Sequence, residues 1–416
     1  MKWNKIVAVA LALAMLAAVA GCAGEQPAAP AAPSQTADGA LVASDDASSE
    51  QNTFKRTANA SAVDGDAVKS VMESSPVYRA VQSGLDGDEL LAQHGLQEKV
   101  AAGRMPSPVE GEGSGKTVAV LLGVPEQMFT RLLITGLSDA IREGDELLVF
   151  NYALDNEKAI NQLESCVSRG VDAIIVQPQD QDAAVQWAQI AADGGVPFFT
   201  VDQIISDTTN VKGMLGGDDY GIGYYSGLQV AKKYYDKHGN YDAKIMTYCM
   251  QSVVANVVRQ MGFEDALAKY GMGVTINVEA MWTTEDALAP IESALTANPD
   301  IDVFWSPSDP PAIAAVQVFQ ENGKLDDIMV FCHEVSLWVS QQMDAGVIYG
   351  ASDASPYYYG YNGVKMVYDY LDGKVTEQVR NYNPLIPVYP EEYKDYANTY
   401  IIEEEISKDW SFKFAS

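Results

Sequence analysis

From Lys116 onward, short apolar runs alternate with stretches whose apolar residues recur at helical spacing. This alternation limits the fold more than any other feature of the chain. Thr117–Leu122 is β-branched and aliphatic throughout, as a strand buried on both faces requires. Phe129, Leu133, Leu137 and Ile141 then mark one helix face, with Gly144 as its stop. The same pair of signals predicts strands at 147–152, 172–176, 197–201, 244–249, 274–279, 301–305, 328–332 and 346–352. Helices are predicted between them, at 182–193, 221–236, 256–270, 284–297 and 356–371 among others, and Asp309 can cap one more ahead of Pro310. Repeated β-then-α units imply parallel sheets with helices on both faces. About ten units over roughly 300 residues exceed one comfortable core, so two lobes are expected.

In open sheets of this kind, ligands bind beyond the carboxyl ends of the strands. That rule selects Gly123 to Phe129, Gln177, Asp202, Gln251, Trp282, Ser306 to Asp309, His333 and Asp353. Trp305, inside a strand, is expected in the core.

The amino terminus has a different composition. Lys2 and Lys5 precede an apolar stretch from Ile6 to Val19 that is short and small-residued for a spanning helix. It stops at Val19-Ala20-Gly21-Cys22, which resembles the bacterial lipobox, where cleavage before the cysteine is followed by lipidation of its sulfur. The alternative is an ordinary signal peptide with a chance cysteine. Residues 1–21 are thus expected to be a lipoprotein signal peptide and Cys22 the lipidation site, with the protein held to the membrane through that lipid only. Residues 22–50 are rich in Ala, Pro, Ser, Gln and Asp, too poor in large apolar groups to offset ordering entropy, and read as a disordered tether. In 51–114, Val68, Val71 and Met72, then Leu90, Leu91, Leu96 and Val100, hint at two short helices. A spacer lying on the body, or a small helical extension, is expected there.

The formal net charge is −30. Nucleic acid is excluded as a partner, because phosphate neutralisation needs a basic surface. Beyond Cys22, three cysteines remain: Cys166, Cys249 and Cys332. Each lies in an apolar stretch, where a small buried residue is the simple reading and a disulfide would leave one thiol over.

No catalytic set emerges. Gly115-Lys116-Thr117 precedes a strand and lacks the earlier glycine of a phosphate loop. Gly221-Ile222-Gly223 has its third glycine, Gly227, one place late for a dinucleotide turn. His94, His238 and His333 are not at metal-ligand spacing with one another, and no Gly-x-Ser-x-Gly elbow occurs. The chain reads as a binder, not an enzyme, with no cofactor or metal.

Ile174-Ile175-Val176-Gln177-Pro178, Phe199-Thr200-Val201-Asp202, Gly217-Asp218-Asp219, Arg259-Gln260-Met261-Gly262-Phe263, Ala297-Asn298-Pro299-Asp300, and Gly346 with Gly360 follow one another along the chain. In their order and spacing, the stretch from Lys116 to about Val388 resembles the ribose-binding branch of the type I periplasmic solute-binding proteins. The resemblance implies two doubly wound α/β lobes joined by a three-segment hinge. The first lobe would take residues 115–217 and 355–385, and the second 218–354 and 386–416. Crossings would fall near Gly217, Asp353 and Pro384 to Pro387.

By the same resemblance, Asp202 would accept sugar hydroxyls, Arg259 would donate its planar fork, Gln177 would present an amide, and Phe129 and Trp282 would sandwich the ring. Gln127, Gln203, Ser308, His333 and Asp353 complete the expected ligand set. Asp202 could instead cap a turn, and Arg259 could pair with a carboxylate on its own surface. Four positions depart from the ribose pattern: Gln203 stands where Arg is implied, Ser308 for Asn, His333 for Asp and Ala354 for Gln. A site built for one hydrogen-bond pattern rejects others, so a deoxy sugar, a polyol, a modified hexose or a non-sugar solute stays open beside ribose. The implied activity is capture of a small polar solute, a sugar above all, by a monomer that delivers it to an ABC permease. A sensor of the same fold is the alternative.

Overall fold

The computed structural model describes residues 65–85, 89, 109–205, 209–281, 283–353, 355–382, 386–396, 399–408 and 410–415. Its strands assemble into two six-stranded sheets. The first contains β1 (Thr117–Leu122), β2 (Glu146–Asn151), β3 (Ala173–Val176), β4 (Phe198–Asp202), β5 (Val211–Gly216) and β11 (Val379–Tyr382), in the order β11-β5-β4-β3-β1-β2. The second contains β6 (Ile245–Tyr248), β7 (Val274–Val278), β8 (Val303–Ser306), β9 (Met329–His333), β10 (Ile348–Asp353) and β12 (Ile386–Val388), in the order β12-β10-β9-β8-β6-β7. All neighbours are parallel except β12, which runs antiparallel to β10. The first five strands of each lobe therefore repeat one winding, with β1 and β6 as equivalent starts.

The repetition extends to the helices. In the first lobe, α3 (Met128–Ala140) packs on α11 (Pro356–Leu371). A Cβ on Gly136 would fall 1.9 Å from the Tyr357 carbonyl oxygen, and one on Gly360 would fall 2.0 Å from that of Leu133. In the second lobe, α6 (Asp219–His238) packs on α7 (Val254–Ala268) in the same way. There a Cβ on Gly223 would meet the Arg259 carbonyl oxygen at 1.6 Å, and one on Gly262 that of Tyr220 at 2.1 Å. Helix backbones approach this closely only where a side chain is absent on both sides.

The remaining helices complete the covering layers: α4 (Asn156–Arg169), α5 (Gln181–Asp193), α8 (Thr284–Ala297), α9 (Asp309–Glu321) and α10 (Leu337–Asp344). Trp305 lies wholly buried in β8 and stacks on Phe263, ring centroids 4.3 Å apart. Cys166, Cys249 and Cys332 are free and buried. Burial pushes the Cys166 thiol up to about 11, and Cys332 rises for the same reason. Among the described residues no helix is long and apolar enough to cross a membrane. Cys22, the signal peptide and the tether lie outside the described residues.

The chain passes between sheets three times: from β5 to α6, from β10 to α11, and from β11 to β12. α6 lies on β9, β10 and β12, whereas α11 lies on β4 and β5, which places each in its lobe.

Two appended segments refine the expected organisation. Of the alternatives for this region, residues 65–85 form a small helical extension: α1 (Gly65–Ser74) and α2 (Pro76–Gln82) are docked on α6 and α7. Val68, Met72, Val77 and Ala80 are buried in one cluster with Tyr220, Tyr224, Tyr225, Val257 and Val258. Apolar side chains of this size contribute about 1.5–3 kcal/mol each when fully buried. The second group of apolar residues, Leu90 to Val100, lies outside the described residues.

The other correction concerns the carboxyl terminus, expected to belong wholly to the second lobe. α12 (Tyr393–Tyr396) does, through Tyr393. From α13 (Thr399–Lys408) the chain returns to the first lobe: Ile402 and Ile406 are buried against Leu132 and Tyr357, and the Ala415 amide donates to the Val149 carbonyl in β2 at 2.8 Å.

Candidate functional site

The carboxyl ends of the central strands carry the polar residues that the fold leaves unpaired with backbone. In the first lobe, β4 ends at Asp202, whose φ is +72°, a conformation costly for any residue with a Cβ and tolerated best by Asn, Asp and Gly. Its Oδ2 accepts from Gln177 Nε2 at 3.0 Å, and the Gln203 side chain also bonds it. Gln177 directly follows β3, held by its amide on the Leu121 carbonyl (3.1 Å) and by the Tyr152 hydroxyl on its own carbonyl (3.1 Å). It is 3 % exposed, and its Oε1 has no donor. Burial pushes the Asp202 carboxyl up to about 6, helped by the Asp219 charge and opposed by Gln177, Arg259 and Gln203.

Asp219 and Arg259 come from the second lobe. Asp219 opens α6 directly after the first crossing, and Arg259 lies on α7, whose backbone Gly223 admits. Arg259 Nε donates to Asp219 Oδ1 at 2.8 Å, and Nη1 to the Pro307 carbonyl at 3.0 Å. Beyond β9 stands Glu334, with φ +76°, its amide on the Ser352 carbonyl at 2.7 Å. Glu334 shares a hydrogen bond with Asp309 at the start of α9. Burial, then the neighbouring Asp309, pushes the Glu334 carboxyl well above the usual range, against the pull of Arg259.

Tyr359 of α11 is buried, with its ring 6.1 Å from that of Phe129. Its hydroxyl lies where a Cβ on Gly217 would be 2.6 Å away, at the first crossing. Burial raises its phenol, followed by the charges of Asp202 and Asp219. The arrangement can do two things chemically: meet a ring's apolar faces with aromatic surface and its polar edge with fixed donors and acceptors. It has no nucleophile paired with a base, and no group of three metal-ligating residues occurs among the described residues.

The structure brings Gln177, Asp202, Gln203 and Arg259 together. Phe129 is half-buried against Tyr359 and the first-lobe core. Gln127 is exposed at the start of α3 and makes no cap bond there. Ser308, not Asp309, is the N-cap residue of α9; its amide and carbonyl are both bonded by the Ser306 hydroxyl. His333 is buried inside β9, its Nδ1 2.8 Å from Ser352 Oγ; burial and the Arg259 charge keep its imidazole well below its ordinary value and thus neutral. Asp353 is buried at the second crossing, where a hinge segment was expected: Oδ1 accepts from the Ser355 amide and Oδ2 from Thr399 Oγ1, both at 2.8 Å. Trp282 and Ala354 lie outside the described residues.

Reasoning from sequence selected Asp309 within 306–309 but passed over Glu334, Asp219 and Tyr359. An acidic residue one step past a predicted strand end was the available signal for Glu334. Tyr359 had no such signal, because a tyrosine triplet at a helix start reads as packing.

Comparison with known proteins agrees with this geometry. Residues 118–375, more than half of the chain, match the model of the periplasmic binding protein domain. A putative rhizopine-binding protein of Rhizobium meliloti is 25% identical over 226 residues, covering 52% of this chain and 71% of its own length. The ribose import binding protein of Salmonella typhimurium is 23% identical over 240 residues, covering 56% and 78%. Among solved structures, an ABC transporter solute-binding protein from Bacillus halodurans with bound myo-inositol superposes with a TM-score of 0.60 at 21% identity, covering 70% of this chain and all of that one. A periplasmic solute-binding protein from Actinobacillus succinogenes with bound D-allose gives the same TM-score and identity over 68% of this chain and all of that one. The chain belongs to the periplasmic binding protein family, in its ribose-type, type I branch.

Proposed function

We propose that this protein is the substrate-binding component of an ABC importer, capturing a sugar or cyclic polyol between its lobes and handing it to the permease. One observation carries the reading: Gln177, Asp202 and Tyr359 from one lobe and Asp219, Arg259, Asp309 and Glu334 from the other form one electrostatically connected group. A ligand bonded by both sets is favoured only in the closed arrangement, so its binding energy drives closure. Ribose, myo-inositol and D-allose, named for one relative and two structural neighbours above, are sugars or a polyol, which supports the substrate class. The Val19-Ala20-Gly21-Cys22 stretch supports anchoring at the extracytoplasmic face through Cys22, and the protein acts as a monomer. Catalysis is not part of this reading.

A thermal-unfolding screen against sugars, polyols and nucleosides tests it. A true ligand at a hundred times its Kd stabilises the folded chain by about 2.7 kcal/mol. A response confined to nucleosides or other non-carbohydrate solutes rejects the substrate class. Arg259→Ala should remove the response; an undiminished one would show that the cleft is elsewhere. Retention of a Cys22→Ser variant in the membrane fraction would reject the anchor.

A further inference from the structure

We infer that α13 is a latch between the lobes: its apolar face is fixed in the first lobe, and its polar face holds the second through a Glu403–Leu337 contact that parts when the cleft widens. This rests on the hinge motion proposed above and not on which solute the lobes capture.

The first observation is that one helix serves two lobes through two faces. Ile402 and Ile406, one turn apart, are buried against Leu132 of α3 and Tyr357 of α11, with Trp410 packed beside them. Past α13, Phe412 and Phe414 pack on the first-lobe core, and the Ala415 amide reaches β2. Tyr400 and Glu403, also one turn apart, lie on a neighbouring face and meet the second lobe. Tyr400 packs on the second-lobe core, its ring edge-on to that of Tyr393 with centroids 5.2 Å apart. Glu403 Oε2 accepts from the Leu337 amide at 2.8 Å. Hinge motion turns one lobe against the other, so α13 can follow only one of them. α13 lies outside residues 118–375, the part that matches the family's domain.

The second observation is what each face loses on separation. Water gives nothing back for the burial of Ile402 and Ile406, which is itself the hydrophobic driving force. Glu403 and the Leu337 amide can both be hydrated when apart, so their bond has a modest net strength. The polar face is therefore the one that parts, and α13 travels with the first lobe. The contact is still favoured while made. Leu337 is the first residue of α10 after its N-cap Ser336, where an amide has no partner inside the helix. A carboxylate there satisfies that donor and suits the positive end of the helix. α10 begins three residues after Glu334, so the latch holds the turn that brings Glu334 to the cleft.

The test needs no ligand. Glu157 and Glu285 are exposed in the first turns of α4 and α8, which follow the equivalent strands β2 and β7 on opposite rims of the cleft. In the full chain with Cys22→Ser, Glu157→Cys and Glu285→Cys, a fluorophore pair is confined to the two rims, because Cys166, Cys249 and Cys332 are buried. Single-molecule energy transfer then reads the ratio of wide to narrow arrangements. Glu403→Ala should raise that ratio about tenfold, the lower end for a hydrogen bond to a charged group. Leu337→Pro removes the amide at a helix position that tolerates proline, and should match it. Either variant serves alone should the other not fold. Joined in one chain, the two substitutions should go no further than one. Glu404→Ala, on the exposed side of the same helix, should leave the ratio as it is. An unchanged ratio in a folded variant, effects that add, or an equal rise in Glu404→Ala would overturn the latch, and the binding reading would still be decided by the unfolding screen.

Discussion

The two lobes share a winding and a glycine-tight helix pair, yet they are covered differently. In the second lobe the pair α6–α7 is covered by α1 and α2, from before the family-matching region. In the first lobe the pair α3–α11 is covered by α13, from after it. Each cover brings a hydroxyl to a buried aspartate at a crossing. The Ser75 hydroxyl bonds Asp218, which also accepts from the Val77 amide at 3.1 Å and the Gly221 amide at 2.9 Å. The Thr399 hydroxyl bonds Asp353. The difference lies in reach. α1 and α2 touch one lobe, whereas α13 also meets α10 of the second, where Glu403 Oε2 accepts from the Leu337 amide at 2.8 Å. One cover stiffens a lobe; the other straps the two together beside the cleft.

The comparison breaks most severely at the glycines. Gly223→Ala and Gly360→Ala should each cost about 3 kcal/mol in denaturant unfolding, since a methyl would drive two helices apart. Only Gly223→Ala should also abolish ligand binding, because it displaces Arg259; equal binding losses would show that the lobes are not independently built.

A pH series separates the crossings next. The Asp353 carboxyl is pushed up to about 6 by burial, against the bonds from Ser355 and Thr399. An acid with a raised folded value holds its proton longer when folded, so stability falls as pH rises from about 4 to 6. Asp353→Asn should flatten that fall, by up to about 3 kcal/mol. An unchanged profile would move the effect to Asp202, which is raised to about 6 as well.

The hydroxyls give the smallest effects. Ser75→Ala should cost about 2 kcal/mol, losing both the bond to Asp218 and the cap on the Tyr78 amide (2.9 Å), and Thr399→Val about 1 kcal/mol. Thr399→Val should alter ligand affinity by loosening the strap, whereas Ser75→Ala should not. Reversal of that pattern in calorimetry would mean that α1 and α2, not α13, govern closure.

Much of this architecture was legible in the sequence because strands buried on both faces must be continuous apolar runs. β1, β3, β4, β6, β8 and β9 are such runs. β5 escaped because Lys212, Gly213 and Gly216 break the pattern, and β11 because Arg380 and Asn381 suit an edge. α10 and α13 were hidden for a different reason: their apolar residues are few, and what they cover is set by distant parts of the chain. In the candidate site, strand-end position picked out Gln177 and Asp202, which the structure places in hydrogen-bond contact. It picked His333 and passed over Glu334, since which of two consecutive residues leaves the sheet depends on a backbone turn that side-chain order does not encode. Asp353 was expected near a crossing, but its partner Thr399, 46 residues away, could not be foreseen.

The left-handed backbone at Asp202 and Glu334 bears on how such a receptor can change its diet over generations. At those two posts only Asn, Asp or Gly substitute without a steric penalty, so few new chemistries are reachable there in one mutational step. Gln203 and Ser308 carry no such restriction: Ser308 has ordinary extended backbone at φ −159°. Drift toward a new solute, in nature or in a selection library, should therefore accumulate first at positions 203 and 308, with the two acidic posts changing last.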